Sequence, residues 1–225
     1  VYKYVSKHLG GKFIMRNNYQ TIKGYAQSEI IIQKSRFITY IQRAETEEEA
    51  QDFINSIKQK HKDANHNCSA YIIGEHDHIQ KANDDGEPSG TAGVPMLEVL
   101  KKRALKDTVV VVTRYFGGIK LGGGGLIRAY SKATTEGIEA AGEVECQLHH
   151  LMKISIDYTW LGKVENEIRN SVYPLKDIAY ADLVEIYVYT KAEDELKFLE
   201  WVTEITNGQA KIDIVEKVFL EFDVV

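Results

Sequence analysis

Two short stretches hold most of the residues able to do chemistry. The first is KANDDGEPSGTAGVP (Lys81–Pro95), where Asp84, Asp85 and Glu87 fall within four positions around Gly86, followed by Pro88, Ser89, Gly90 and Thr91. Three carboxylates so close together have the oxygen donors that Mg²⁺ or Ca²⁺ would use. The calcium-loop pattern is absent, since no alternating Asp series leads to a terminal Glu. Each side chain also has an ordinary explanation: Asp-Gly turns the chain, and Ser89 or Thr91 caps a helix that begins near Pro95. A serine nucleophile needs a base oriented by a third group, and spacing alone supplies none. No catalytic residue, metal site or cofactor is assigned here.

The second stretch is the apolar run VVVVTRYF (Val109–Phe116) followed by GGIKLGGGG (Gly117–Gly125). Nine of the chain's 17 glycines lie either between Gly86 and Gly93 or between Gly117 and Gly125. A buried strand, a glycine turn and a helix in succession leave unpaired amides at the positive end of the helix dipole. Gly122, Gly123, Gly124 and Gly125 would let a ligand reach those amides, and phosphate is the natural occupant. Arg114, Lys120 and Arg128 add positive charge, and Tyr115, Gly117 and Gly118 complete the motif face. The run is neither a Walker A loop nor a dinucleotide fingerprint, because Gly-Lys-Ser/Thr and the later ribose-binding acid are both missing. A tight buried turn that needs glycine for geometry alone is the other reading.

Other candidates are weaker. His76 and His78 share a strand face if that segment is a strand, with His66 nearby, but no third zinc ligand stands out. Exposed hairpin histidines are the simpler account, and His149-His150 point opposite ways. Lys101, Lys102, Arg103 and Lys106 fall on the outer face and end of one helix, either as a solvated terminus or as a rim for RNA.

The elements that position these residues follow from periodicity. Ile30–Ile32 and Phe37–Ile41 read as strands around a turn or bulge at 34–36. Thr46 with Glu49 forms a capping box, and Ala50, Phe53, Ile54 and Ile57 continue a helix to about Lys60. Cys68–Ile73 and His78–Ala82 read as a hairpin. Pro95 opens a helix with Leu97, Leu100 and Ala104 inward. Val109–Val112 is a strand buried on both faces. Leu126–Ala141 is a helix with Ile127, Tyr130, Thr134, Ile138 and Ala141 on one face, closed by Gly142. Further on, Met152–Tyr158 alternates, Leu161, Val164 and Ile168 repeat as a helix, and Tyr173–Ala179 supplies a strand. Val184–Val188 alternates, Leu196, Leu199 and Val202 repeat as a helix stopped at Asn207-Gly208, and Val218–Phe222 alternates last. That order, βαββαβ, is ferredoxin-like.

The totals bound the function. At 225 residues with 44% hydrophobic and 27% charged residues, the chain has the composition of a globular protein. It has no apolar run of membrane-helix length, so no membrane partner is expected. Two cysteines in no metal-ligand spacing indicate a reducing, cytoplasmic setting. Charge is uneven: residues 1–14 carry +3, residues 15–144 are neutral and residues 145–225 carry −8. The acidic part would repel a phosphate backbone, so nucleic-acid contact falls to the first half. Residues 1–14 read as an upstream extension or cloning remnant.

The motifs NHNCSAYIIG, NDDGEPSGTAGVPML and TRYFGGIKLGGGGLIRAYSKA together resemble the IMPACT family, called YigZ-type in bacteria. The resemblance implies an α+β protein with a ribosomal-protein-like domain over 15–143, like the fourth domain of elongation factor G. It implies a ferredoxin-like domain over 144–225, like the last domain of that factor. For the first domain it implies a mixed sheet with helices on one face. It also implies translation regulation under stress, with the ribosome, RNA or a translation-factor protein as partner, and no established catalytic residues. The expected site is Asp84–Thr91, Arg114–Lys120 and Gly122–Arg128, holding a phosphate anion. The alternative is a Mg²⁺-dependent enzyme acting on a phosphorylated small molecule or nucleotide.

Overall fold

Long β-branched runs flanked by amphipathic helices produce two sheets. In the computed structural model the described residues are 3–4 and 18–224. Apart from Lys3–Tyr4, the 1–14 segment lies outside them. The chain forms two compact units: Tyr19–Glu145 with Phe222–Val225, and Val1–Asn18 with Cys146–Glu221.

Lys3–Tyr4 (β1) belongs to the latter unit, and Tyr19–Ile22 (β2) opens the former. The 19–145 unit then runs through Ala26–Ile32 (β3), Ser35–Arg43 (β4), helix Glu47–Lys60 (α1), His66–Ile73 (β5) and Ile79–Asn83 (β6). Helix Gly93–Lys102 (α2), Thr108–Tyr115 (β7) and helix Gly122–Ala141 (α3) complete it. The sheet order is β3-β4-β7-β5-β6, and every neighbouring pair is antiparallel. The last strand made, β7, is therefore the central one. Its valines alternate: Val110 and Val112 pack with Met96, Leu100, Leu126 and Tyr130, whereas Val109 and Val111 pack with Ala50, Phe53, Ile54 and Ile57.

Helices consequently cover both faces, α2 and α3 on one and α1 on the other, over an antiparallel sheet. The expected mixed sheet with helices on one face gives way to this three-layer arrangement. The reason is legible in β7 itself, which has no polar face to leave in water.

Local chemistry explains most boundaries. The α1 start has its full capping box: the Glu49 amide donates to Thr46 Oγ1 at 3.1 Å, and Glu49 Oε2 accepts from the Thr46 amide. The β3–β4 turn is tighter than the 34–36 bulge read from the sequence. Gln33 (φ 46°) and Lys34 (φ 65°) are both left-handed, as a two-residue hairpin of this hand requires. Two helix faces keep most of their expected residues and lose one each. In α2 the chain turns at Ala104 (φ 52°), leaving it exposed and burying Leu105. In α3 Ile127 faces solvent, while Leu126, Ala129, Tyr130, Ala133 and Gly137 face the sheet. Small residues sit there because the helix lies close: a Cβ on Gly137 would come within 2.4 Å of Thr39 Cγ2.

The 146–221 unit contains Glu143–Ile156 (β8) from Cys146 on, helix Leu161–Arg169 (α4), Leu175–Tyr180 (β9) and Val184–Lys191 (β10). Helix Glu195–Ile205 (α5) and Lys211–Asp223 (β11, to Glu221) follow. The order β1-β11-β8-β10-β9 makes its four principal strands fourth-first-third-second, the ferredoxin-like arrangement. The core joins Ile154, Ile186 and Val188 to Val164, Ile168, Phe198 and Val202. Phe198 takes the buried place expected of Leu196, which is 74% exposed. Tyr158 leaves the strand for a short 3-10 turn.

Replacing Thr46 with Ala should lower the stability of the 19–145 unit by about 1 kcal/mol, the usual worth of an N-cap. Urea unfolding followed on the full chain measures it, and an unchanged midpoint would mean that Glu49 alone holds the helix start.

Candidate functional site

The acidic loop folds around its own carboxylates. Asp84 accepts hydrogen bonds from three amides: Gly90 (2.8 Å), Ala92 (3.0 Å) and Gly93 (2.8 Å). It is Asp84 that caps α2, in place of Ser89 or Thr91, because its carboxylate reaches across the turn to the helix's free N–H groups. Thr91 Oγ1 instead donates to the Pro88 carbonyl at 2.6 Å, and Ser89 is exposed.

Asp85, at φ 44°, accepts from Lys58 Nζ and from the Asn67 amide, both at 2.7 Å. Burial raises its pKa, but the Lys58 ammonium and the Asn67 amide outweigh burial and leave it below the ordinary value.

Glu87 is 7% exposed and lies against Arg114, itself 5% exposed. Arg114 Nη1 donates to Glu87 Oε1 at 2.6 Å, and the Tyr130 hydroxyl donates to the same oxygen at 2.8 Å. Burial, with Cys68 and Glu87 beside it, pushes the Tyr130 phenol far up, so it stays a donor. Cys68 Sγ lies 3.3 Å from that hydroxyl and 3.0 Å from the Asp84 carbonyl. Its thiol is pushed well up, chiefly by burial, and is no nucleophile. Arg114 was expected to hold phosphate with Arg128. Its charge is already matched by Glu87, so it forms the floor of the site.

The glycine stretch divides into two kinds of position. A Cβ on Gly117 would lie 2.0 Å from the Lys34 carbonyl carbon, so this glycine is required by close backbone approach. Its amide donates to Ser35 Oγ at 3.2 Å, and Phe116 N donates to Asn65 Oδ1 at 2.8 Å. Gly122–Gly125 are different, being the first turn of α3 and no loop. A Cβ on Gly123 would find its nearest neighbour at 3.9 Å, and one on Gly124 at 3.6 Å, the latter being Arg128 Nη1. Gly122, Gly123 and Gly124 are exposed, and Leu121 at the N-cap offers no side-chain hydrogen bond. Packing therefore does not demand glycine at 123 and 124, where alanine would make a better helix.

The two motif loops share a single open cleft of about 370 Å³. Glu87 and Pro88 come from the first loop; Phe116, Lys120, Leu121, Gly122 and Gly123 from the second. Asn65, His66, Arg114 and Leu126 complete its lining. Tyr115, expected on the motif face, turns to the other side of the sheet, where its hydroxyl bonds His61 Nδ1 at 2.8 Å. Strand alternation separates it from Arg114. Gly118, with a left-handed φ of 85°, is exposed beside the cleft.

Sequence reading passed over Tyr130 as a site residue, taking it for core. Its signal was a polar tip on a buried helix face, which demands a partner. His66 belongs to the cleft, whereas His76 and His78 sit exposed outside any strand. The basic rim is largely neutralised: Lys101 pairs with Glu98, Arg103 with Glu143, and Lys106 with Asp77. Lys120 and Arg128 have no ion-pair partner among the described residues.

The structure thus defines a class of two-unit α+β protein: a three-layer antiparallel unit with a glycine-lined cleft, joined in sequence to a ferredoxin-like unit. Residues 33–138 match the model of the Impact N-terminal domain, and residues 154–209 match a domain of unknown function, DUF1949. IMPACT family member YvyE of Bacillus subtilis (strain 168) is 59% identical over 92% of this chain and 95% of its own length. IMPACT family member YigZ of Escherichia coli (strain K12) is 37% identical over 63% of this chain and 74% of its own. A solved structure titled as a crystal structure of a hypothetical protein is similar with 28% identity and a TM-score of 0.57, over 90% of this chain and 99% of that one. The chain belongs to the IMPACT family.

Two outcomes test the site's construction. Arg114→Met alone should cost about 3–5 kcal/mol by stranding Glu87, and the double variant with Glu87→Leu should recover most of it. Denaturant unfolding of both variants decides whether the pair is a true buried unit. Asp85 has a depressed folded pKa, so its contribution is full above the unfolded value near about 3.9 and is lost as pH falls through the folded one. The stability gap between the parent and Lys58→Met should therefore be open at neutral pH and close in strong acid.

Proposed function

We propose that the 19–145 unit binds the phosphate backbone of RNA, free or on the ribosome, as a translation-associated regulator. The observation that carries this reading is the α3 start. Its first-turn amides are exposed and uncapped, and glycine is kept at 123 and 124 where packing has room for a side chain. The contrast within the same unit is informative, since Thr46 and Glu49 cap α1 and Asp84 caps α2. Leaving the third start bare keeps its amides open to an anion.

Lys120 at the cleft and Arg128 folded beside Gly124 supply positive charge at that point. Kinship supports the translation context: the family resemblance implies a regulatory role there, and the 19–145 unit carries the family's motifs. A phosphate-bearing face on a translation factor or ribosome would present the same anion.

The reading as a Mg²⁺-dependent enzyme asks for free carboxylates. Asp84 is taken up by three amides, Asp85 by Lys58 and Asn67, and one Glu87 oxygen by Arg114 and Tyr130. Among the described residues no group of three or more His, Cys, Asp or Glu side chains is arranged to hold a metal.

Gly123→Ala with Gly124→Ala separates stability from function. The variant should be more stable by up to about 1 kcal/mol per site, from helix propensity, yet bind RNA more weakly. Lys120→Ala and Arg128→Ala should each weaken binding and flatten its dependence on log salt concentration by roughly one unit. Filter binding to RNA and to ribosomes across a salt series measures both. Unaltered affinity in all of these variants would sink the proposal.

A further inference from the structure

The sheet face opposite the cleft carries a chain of polar side chains that anion binding does not use. His61, at the C-cap of α1, is bonded at both ring nitrogens. Nε2 lies 2.6 Å from the Tyr40 hydroxyl of β4, and Nδ1 lies 2.8 Å from the Tyr115 hydroxyl of β7. His61 and Tyr115 are half-buried, whereas Tyr40 is 1% exposed. Two bonds from one ring thus tie the end of α1 to two neighbouring strands.

A neutral imidazole fits this place and an imidazolium does not. Among the described residues the Tyr40 hydroxyl bonds this ring alone, and at 1% exposure it has no water to turn to. Tyr40 is therefore the donor to Nε2, which leaves Nδ1–H to donate to Tyr115. A second ring proton would sit on Nε2 and meet the Tyr40 proton head on. That hydroxyl would then have to accept, with its own proton buried and unpaired.

The added charge is opposed as well. Lys60 Nζ lies 4.6 Å from the centre of the Tyr40 ring, and the Arg36 guanidinium 5.5 Å from that of Tyr115. Glu29 of β3, the carboxylate of this network, already accepts from Arg36 at 2.9 and 3.0 Å. Burial first, then Lys60 and Arg36, hold the His61 pKa below its ordinary value.

The end of α1 also reaches the acidic loop. The His61 amide donates to the Ile57 carbonyl at 2.9 Å, and the His61 carbonyl accepts from Asn67 Nδ2 at 3.3 Å. The Asn67 amide donates in turn to Asp85 Oδ2 at 2.7 Å.

We propose that Tyr40, His61 and Tyr115 form an acid-sensitive latch that fixes the end of α1 to the sheet and, through Asn67, steadies the acidic loop. The neutral ring closes it and the imidazolium opens it, whatever the cleft binds. The sign follows from linkage. The folded value lies below the unfolded one of about 6.5, so stability is full above that pH and is lost as pH falls from there toward the folded value.

The test follows the full chain from about pH 7.5 to about pH 5, the range in which histidine changes charge. The urea midpoint of the parent should fall as the pH drops. His61→Gln keeps a donor and an acceptor but does not titrate, so it should lose less. His149, whose value burial also lowers, is present in both proteins and cancels in the comparison. Amide exchange, corrected for the intrinsic rate at each pH, should show the protection of the His61 and Asn67 amides falling in the parent and holding in His61→Gln. Ring titration of the parent by NMR needs no variant, and the His61 signal should move at a pH below the ordinary value.

A ring that titrates at or above about 6.5 overturns the latch. Parallel midpoint profiles in parent and folded His61→Gln overturn it too, as does unchanged protection of the His61 amide. If that amide loosens in acid while the Asn67 amide does not, the tie to the acidic loop is overturned.

Discussion

The cleft depends on the buried pair between Glu87 and Arg114. Neither charge could be held at such low exposure alone, because an unpaired ion in the interior would neutralise itself or drag water in. Held together, they tie the acidic loop to the end of the central strand, and Tyr130 joins them to the helix that follows. Three pieces of chain far apart in sequence thereby meet at a single carboxylate oxygen. The glycine-rich helix start is placed relative to the acidic loop by that junction. Close apolar packing around Met96, Leu126 and Cys68 fills the space beneath.

The acidic loop shows how charge can be consumed in construction. Read along the chain, Asp84, Asp85 and Glu87 look like a cluster of available oxygens. In space they point three ways, one to the α2 amides, one to Lys58 and Asn67, and one to Arg114 and Tyr130. The loop's negative charge is therefore met locally, and the electrostatic character of the cleft mouth falls to Lys120 and to the bare helix start. The 19–145 region, with 16 basic and 18 acidic residues, can still present positive charge at the cleft because the acids of this loop are turned inward to partners.

The elements were legible where periodicity was strong. Ala50, Phe53, Ile54 and Ile57 with the Thr46–Glu49 cap defined α1, and the valines of β7 announced a strand buried on both sides. The βαββαβ order of the acidic half was likewise plain from alternation. The misreadings share a cause. Alanine and glycine carry little hydropathy, so Ala129, Ala133 and Gly137 were left off the α3 face and Ile127 was put on it, although Tyr130, Thr134 and Ile138 do lie there. Layering was missed because one-sided cover came from the resemblance, although the unbroken valine run Val109–Val112 already implied two covered faces. At the site, the glycine motif was visible, but the partners of its charges were not. Nothing local in sequence says that Arg114 meets Glu87, 27 positions away, or that Asp84 reaches past Ser89 to cap a helix.

The placement of β7 at the centre of its sheet has a temporal meaning. β4 and β5 are separated by the gap that β7 fills, and they precede it by 65 and 35 or more residues of synthesis respectively, counted from Arg43 and Ile73 to Thr108. While the ribosome is still making α2, two apolar strand edges stand without their shared neighbour. The nascent chain must remain unsettled until the valine run has left the exit tunnel, so a chaperone that shields hydrophobic edges has a defined window in which to act.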